Sequence, residues 1–192
     1  MGRDNDGLKA GLLKQNILLL NNEVSGPMVD YVYACLAELE CRGSPAIETR
    51  LFTNGGSVGA GLDIYDALVR YKGQKTGVVY AYARSMGAVI LQACDKRVCL
   101  QHASVLIHHV NQKSVSLDVL EDEQRLAELR ESMRVDQRAI YEILVRRTGR
   151  TEEEIRAVCK KNEDMDAVAA KAFGLIDEIE IAVACTKPEV VS

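Results

Sequence analysis

Short apolar runs alternate with amphipathic stretches along the whole chain, and this alternation constrains the fold more than any other feature of the sequence. Ile17-Leu18-Leu19-Leu20 reads as a buried strand. Ser25-Gly26-Pro27 then opens a helix whose inward face carries Met28, Val32, Cys35, Leu36 and Leu39, and Gly43-Ser44-Pro45 ends it. Ile47 to Thr53 is a second strand, broken by Asn54-Gly55-Gly56-Ser57. The next helix, from about Val58 to Tyr71, turns Leu62, Tyr65, Leu68 and Val69 inward. Val78 to Tyr82 is a strand leading directly into a helix from Ser85 to about Ala93. Two strand-like pieces follow, Arg97 to Leu100 and Ser104 to His108, and then a loop over Val110 to Ser116. Repeated β-α units of this kind imply a mostly parallel sheet covered by helices.

The second half carries one long helix, about Leu117 to Arg147, with a narrow apolar stripe of Leu126, Leu129, Met133, Ile140 and Leu144 between charged flanks. A stripe so narrow suits packing against something outside its own domain. Thr148-Gly149 stops it, and Thr151-Glu152-Glu153-Glu154 is a capping box for a short helix. A last helix, Ala167–Phe173, ends at Gly174, and Ile179 to Val183 closes as a strand. No repeat, linker or low-complexity segment divides the 192 residues, which suit one domain, with residues 1–10 and 184–192 expected to be loose.

Composition excludes several functions. A net charge of −4 without any basic block argues against nucleic acid or an anionic membrane as partner. No apolar run approaches the ~20 residues that span a bilayer, and the polar start, Met1 to Asp6, leads to no signal-peptide core and no myristoylation signal. The six cysteines, Cys35, Cys41, Cys94, Cys99, Cys159 and Cys185, form no C-x-x-C, and His102, His108 and His109 complete no zinc spacing. Most sit in apolar segments as small hydrophobes, so the expectation is reduced thiols, a cytoplasmic setting, and no metal or cofactor.

Three features carry chemistry. Ser85, in Ala83-Arg84-Ser85-Met86-Gly87-Ala88, lies where a strand becomes a helix. A sharp turn there exposes a hydroxyl among small neighbours, and the helix start offers unpaired N–H groups to an oxyanion. The bland alternative is a helix cap. Asn54-Gly55-Gly56-Ser57 repeats the strand-end position, and its glycines let backbone approach a ligand closely, as an oxyanion hole or peptide-docking edge needs. Ser57 is a rival nucleophile on paper, expected instead to cap its helix, and no Gly-Lys-Ser/Thr follows to make a phosphate loop. His108 ends the strand of Val105, Leu106 and Ile107 and supplies a base able to activate a serine. Strand alternation puts His108 and His109 on opposite faces, so only one can point at a given site. His102 falls in a polar turn.

In this order and at nearly this spacing, Asn54-Gly55-Gly56-Ser57-Val58, Ser85-Met86-Gly87-Ala88, Lys96-Arg97 through His108, and Gly174-Leu175-Ile176-Asp177 resemble the proteolytic subunit of the Clp protease, over about residues 10–182. The resemblance implies an α/β fold, a ClpP/crotonase-like spiral of β-β-α units with a protruding long handle helix. It implies an ATP-independent serine endopeptidase acting on unfolded proteins or short peptides inside a tetradecamer of stacked heptameric rings. In that frame Ser85 attacks, His108 relays the proton, and the N–H groups of Gly56 and Met86 form the oxyanion hole. Gly55, Ser57 and Val58 line the substrate path, and the ungapped stretch from Lys96 to His108 selects His108 over His109. The third triad place, counted back from Gly174, falls on Asn162 rather than Asp; Glu163, Asp164 and Asp166 are nearby substitutes, with Asp166 expected to cap the last helix. Arg84 replaces a small residue, and the segment after His108 lacks the family's Gln-Pro and Gly-rich strand. The short segment before Ile17 counts against docking of a Clp ATPase unfoldase, the candidate partner. Alternatives are a weakly active or inactive structural ring subunit, and an acyl-CoA enzyme of the crotonase type.

Overall fold

A computed structural model describes residues 5–112 and 114–181. In chain order its elements are α1 (Asn5–Leu13), β1 (Ile17–Leu20), α2 (Gly26–Cys41), β2 (Ile47–Thr53), α3 (Val58–Arg70), β3 (Lys75–Arg84), α4 (Met86–Leu91), β4 (Lys96–Leu100), β5 (Ser104–Leu106), α5 (Leu117–Glu121), α6 (Glu123–Thr148), α7 (Glu152–Lys161), β6 (Met165–Asp166), α8 (Ala167–Phe173) and β7 (Glu178–Glu180). Strands run in the order β1-β2-β3-β4-β7, all parallel, as the β-α alternation requires. Both faces of such a sheet are buried, which is why β1 is continuously apolar.

The strand β3 changes partner along its length. Thr76 to Val79 pair with β4, and Tyr82 to Arg84 pair with β5, which pairs on its other side with the antiparallel β6. A register shift between Leu51 and Thr53 lets β2 follow this divergence, with Thr53 opposite Ala83. The sheet is therefore opening at the end where β2 and β3 give way to Asn54 and Ser85. In open parallel sheets a crevice forms where neighbouring strands part company.

Most expected elements stand as read: β2, α8 and the inward face of α2 match residue for residue. Thr151 and Glu154 make the reciprocal capping box, and Gly149 and Gly174 end their helices in the left-handed region. Five expectations are corrected. The long helix is two, because the Asp122 side chain accepts from the N–H groups of Gln124 and Arg125 and starts α6 afresh. On α3, Val69 is 51% exposed and Leu62 only half-buried; Ile64 takes the core position instead. The strand expected to reach His108 stops at Leu106, since β3 ends at Arg84 and offers nothing further to pair with. The closing strand is Glu178–Glu180, and residues 182–183 of the expected span lie outside the described residues, as does Cys185. Residues 5–13 form α1 beside β1, where a loose terminus was expected; residues 184–192 lie outside the described residues.

Of the described cysteines, all five are free and only Cys41 is exposed. Burial pushes Cys94 up to about 12 and Cys99 and Cys159 up to about 11, so these thiols act as core atoms rather than nucleophiles. Among the described residues, no helix is long and apolar enough to cross a membrane.

Candidate active site

Ser85 occupies the turn between β3 and α4 with φ 54° and ψ −123°, a positive-φ backbone geometry that few non-glycine residues adopt. The turn is held because the Ser85 N–H donates to the Leu106 carbonyl (2.8 Å), and Ala88 and Val89 donate to the Ser85 carbonyl (3.0 and 3.3 Å). Its side chain makes no capping hydrogen bond. Ser57 behaves oppositely: its hydroxyl accepts from the Ala60 N–H at 3.3 Å, as a helix cap should. The two serines at strand ends thus divide, one closing a helix and one left free.

The glycine loop wraps against this turn. Thr53 Oγ1 donates to the Asn22 carbonyl (2.6 Å) and accepts from the Gly55 N–H (3.1 Å), fixing where the loop leaves β2. Gly55 has φ 87° and Gly56 φ 155°. The Val24 N–H donates to the Gly55 carbonyl (2.9 Å) and the Ser57 N–H to the Val24 carbonyl (2.8 Å), a parallel bridge centred on Gly56. In such a bridge both bonds fall on the flanking residues, so the N–H of Gly56 itself turns away from Val24. The N–H of Met86, in the first turn of α4, precedes the first helical bond. Two unpaired N–H groups therefore flank the Ser85 turn.

Two openings meet there. A cleft of about 370 Å³ is lined by Asn21, Glu23, Phe52, Gly55, Gly56, Tyr82, Ser85, His108 and Asn111, among others. A narrow pocket of about 40 Å³ is lined by Gly56, Val58, Ser85, Met86, Val89, His108 and Leu144 with their neighbours. Gly56, Ser85, His108 and Asn111 line both. His109 lines only the narrow pocket, and because the strand has ended, alternation does not separate the two histidines there. Ser57 lines neither. No hydrogen bond joins the Ser85 hydroxyl to the His108 ring among the described residues; such bonds often close only around substrate.

No hydrogen bond joins Asn162 to His108 among the described residues. Asn162 is the exposed C-cap of α7, at φ 53°, with no side-chain hydrogen bond among the described residues, and it lines neither opening. The His108 Nδ1 instead lies 2.6 Å from the carbonyl of His109. Asp164 is committed elsewhere: Arg84 reaches it through Nε (2.8 Å) and Nη2 (2.9 Å), Ser104 Oγ donates to it (3.0 Å), and Arg84 Nη1 donates to Asn54 Oδ1 (3.0 Å). The Arg84 bonds hold the Asp164 carboxyl below the ordinary carboxylate range, against the smaller upward pull of burial. Asp166 caps α8, as expected, and His102 is exposed.

Sequence reasoning missed the far wall of the cleft. Asn21, Asn22 and Glu23 come from the turn after β1, and Phe52 meets Tyr82 edge-on at 4.7 Å. The signal was available in part, since residues just past strand ends of a parallel sheet are those that line its crevice. Among the described residues, no group of three His, Cys, Asp or Glu side chains is placed to hold a metal ion.

A free serine on a strained strand-to-helix turn, flanked by unpaired N–H groups and sharing a cleft with a histidine, is the layout of a serine hydrolase on an α/β scaffold. Residues 2–182 match the family model described as Clp protease, and the chain belongs to that family.

Proposed function

We propose that this chain is a serine endopeptidase subunit that hydrolyses peptide bonds of unfolded proteins or short peptides. Ser85 Oγ attacks the substrate carbonyl while its proton passes to His108 Nε2, which later returns a proton to the leaving amine. The N–H groups of Gly56 and Met86 receive the oxyanion, an arrangement in which each donor contributes roughly 10²–10³ in rate. Gly55 gives the substrate backbone room, and the narrow pocket beside Ser85, with Val58 at its wall, takes a small side chain. The observation that carries this reading is the unpartnered Ser85 hydroxyl in its strained turn, facing a cleft shared with His108. Self-association into stacked heptameric rings, with α5 and α6 as the interdigitating handle, and a cytoplasmic setting with reduced thiols belong to the same proposal. A Clp ATPase remains the candidate unfoldase partner.

A fluorophosphonate probe tests it. Labelling that disappears in Ser85→Ala and persists in Ser57→Ala is the expected result; an assembled protein that takes no label would overturn it. One observation favours a second reading, a structural ring subunit of little activity: the place that the resemblance gives to Asn162 is not joined to His108.

A further inference from the structure

A serine needs its histidine in one tautomer, with the proton on Nδ1 and the lone pair on Nε2, and a triad acid normally enforces this. In this chain the atom facing His108 Nδ1, at 2.6 Å, is the main-chain oxygen of His109. A carbonyl oxygen can only accept, so Nδ1 carries the proton and Nε2 keeps its lone pair, on a ring that lines the cleft. A carbonyl one residue away would be a poor guide if its peptide unit were loose. It is pinned on both sides. The His109 ring donates from Nε2 to the Arg156 carbonyl of α7 (3.3 Å) and meets the Tyr141 ring of α6 edge-on, centroids 6.3 Å apart. The Val110 N–H, on the other side of the same peptide unit, donates to Gln137 Oε1 of α6 at 2.6 Å. Arg156 covers the Tyr141 ring at 4.5 Å and is itself paired with Glu152 (2.5 Å), so the anchor is braced in turn.

We propose that the His109 carbonyl holds the orienting place of the catalytic set, and that the His109 side chain is the positioning residue that fixes it to α6 and α7. The inference rests on the peptidase reading for its purpose, while the state of the His108 ring can be read without turnover. A carbonyl selects the tautomer but brings no full negative charge to the imidazolium formed during attack, so the site works more slowly than one with a carboxylate.

The test is ¹⁵N NMR of histidine-labelled, assembled protein, with the neutral His108 ring assigned by its loss in His108→Gln. The Nδ1–H tautomer is expected in the native chain and unchanged in Asn162→Gly, which removes the amide yet keeps the left-handed backbone. His109→Ala keeps the carbonyl but frees it, and a mixture of tautomers is expected, with kcat down about tenfold and KM within about twofold. His109→Gln, whose amide can still donate to the Arg156 carbonyl, restores both. A ring that changes tautomer in Asn162→Gly, or stays fixed in a folded His109→Ala protein, overturns the proposal. A chain that hydrolyses nothing yet keeps Nδ1–H refutes the peptidase reading alone; an active chain whose tautomer follows Asn162 refutes this inference alone.

Discussion

A methyl group on Gly55 would fall 2.7 Å from both the Arg84 carbonyl and the Ser85 Cβ, and 2.9 Å from the Met86 nitrogen. All three are fixed atoms of the Ser85 turn, and the position also has φ 87°, so nothing can yield cheaply. Gly55→Ala is expected to lower stability by about 1–3 kcal/mol and to suppress fluorophosphonate labelling far more than that loss explains. A thermal melt beside the labelling rate separates the two effects. At this scale the exposed corner at Ser85 and the cap at Ser57 were legible, because strand end, small neighbours and helix start are local facts about both serines. The bond between Arg84 and Asp164 was not, because 80 residues separate them and no periodicity links a strand end to a loop before a two-residue strand. Asn162 was placed by counting from Gly174, and counting fixes an order along the chain, not which way a helix cap faces.

Among the elements, the break at Asp122 is the most consequential difference from the sequence reading. The residues on either side are good helix formers, so propensity runs straight through. What stops it is one carboxylate accepting two N–H bonds at 3.0 Å each. Asp122→Ala should cost α6 about 1 kcal/mol at its first turn. Faster amide hydrogen exchange at Gln124 and Arg125, with no change near Leu144, would register it. The segment also leaves Leu117 at 64%, Leu120 at 52% and Val135 at 54% exposure. Under the ring assembly proposed above these are the contact residues, so Leu117→Ser with Leu120→Ser should reduce the native mass from the tetradecamer to single rings or smaller. Unchanged mass would remove α5 from the interface. Elements bounded by strong local signals (β2, α8, the Thr151 box) were read correctly. Those whose ends depend on a partner strand, β5 and β7, were read too long.

Across the whole molecule, one buried cation gathers the chain's two halves. Arg97, 5% exposed, donates to Gln92, the C-cap of α4 (2.6 Å), to the carbonyls of Arg147 (3.3 Å) and Gly174 (2.8 Å), and to the Asp177 carboxylate, which also accepts from the Arg97 N–H (2.8 Å). Burial alone would raise the Asp177 carboxyl, but the bonds and charge of Arg97 hold it below the usual range. Arg97→Ala is expected to lose about 2–3 kcal/mol, less than a fully buried pair because the carboxylate is partly solvated. The sign with pH follows from the lowered folded value. The stabilisation is complete above the ordinary carboxylate range, about pH 4, and is lost as pH falls through the lower value of the folded state. Melting temperature should therefore decline below about pH 4, and Asp177→Asn should flatten that decline. The run from Gly174 to Asp177 entered the sequence reading only as a family signature; the fold shows it as the far end of a clamp, invisible without knowing that β4 lies beside β7.

The φ of 54° at Ser85 has a cost that falls on the fold, and under the proposed peptidase function its benefit falls on the reaction. Glycine accepts that conformation without penalty, so Ser85→Gly should melt higher than the native chain, by the equivalent of about 0.5–1 kcal/mol, and take no fluorophosphonate at all. A variant both sturdier and inert would mean that folding alone gives no reason to keep a hydroxyl at this corner. Mutational drift judged only by foldedness would then erase it first, and a serine kept there would be the trace of selection for chemistry.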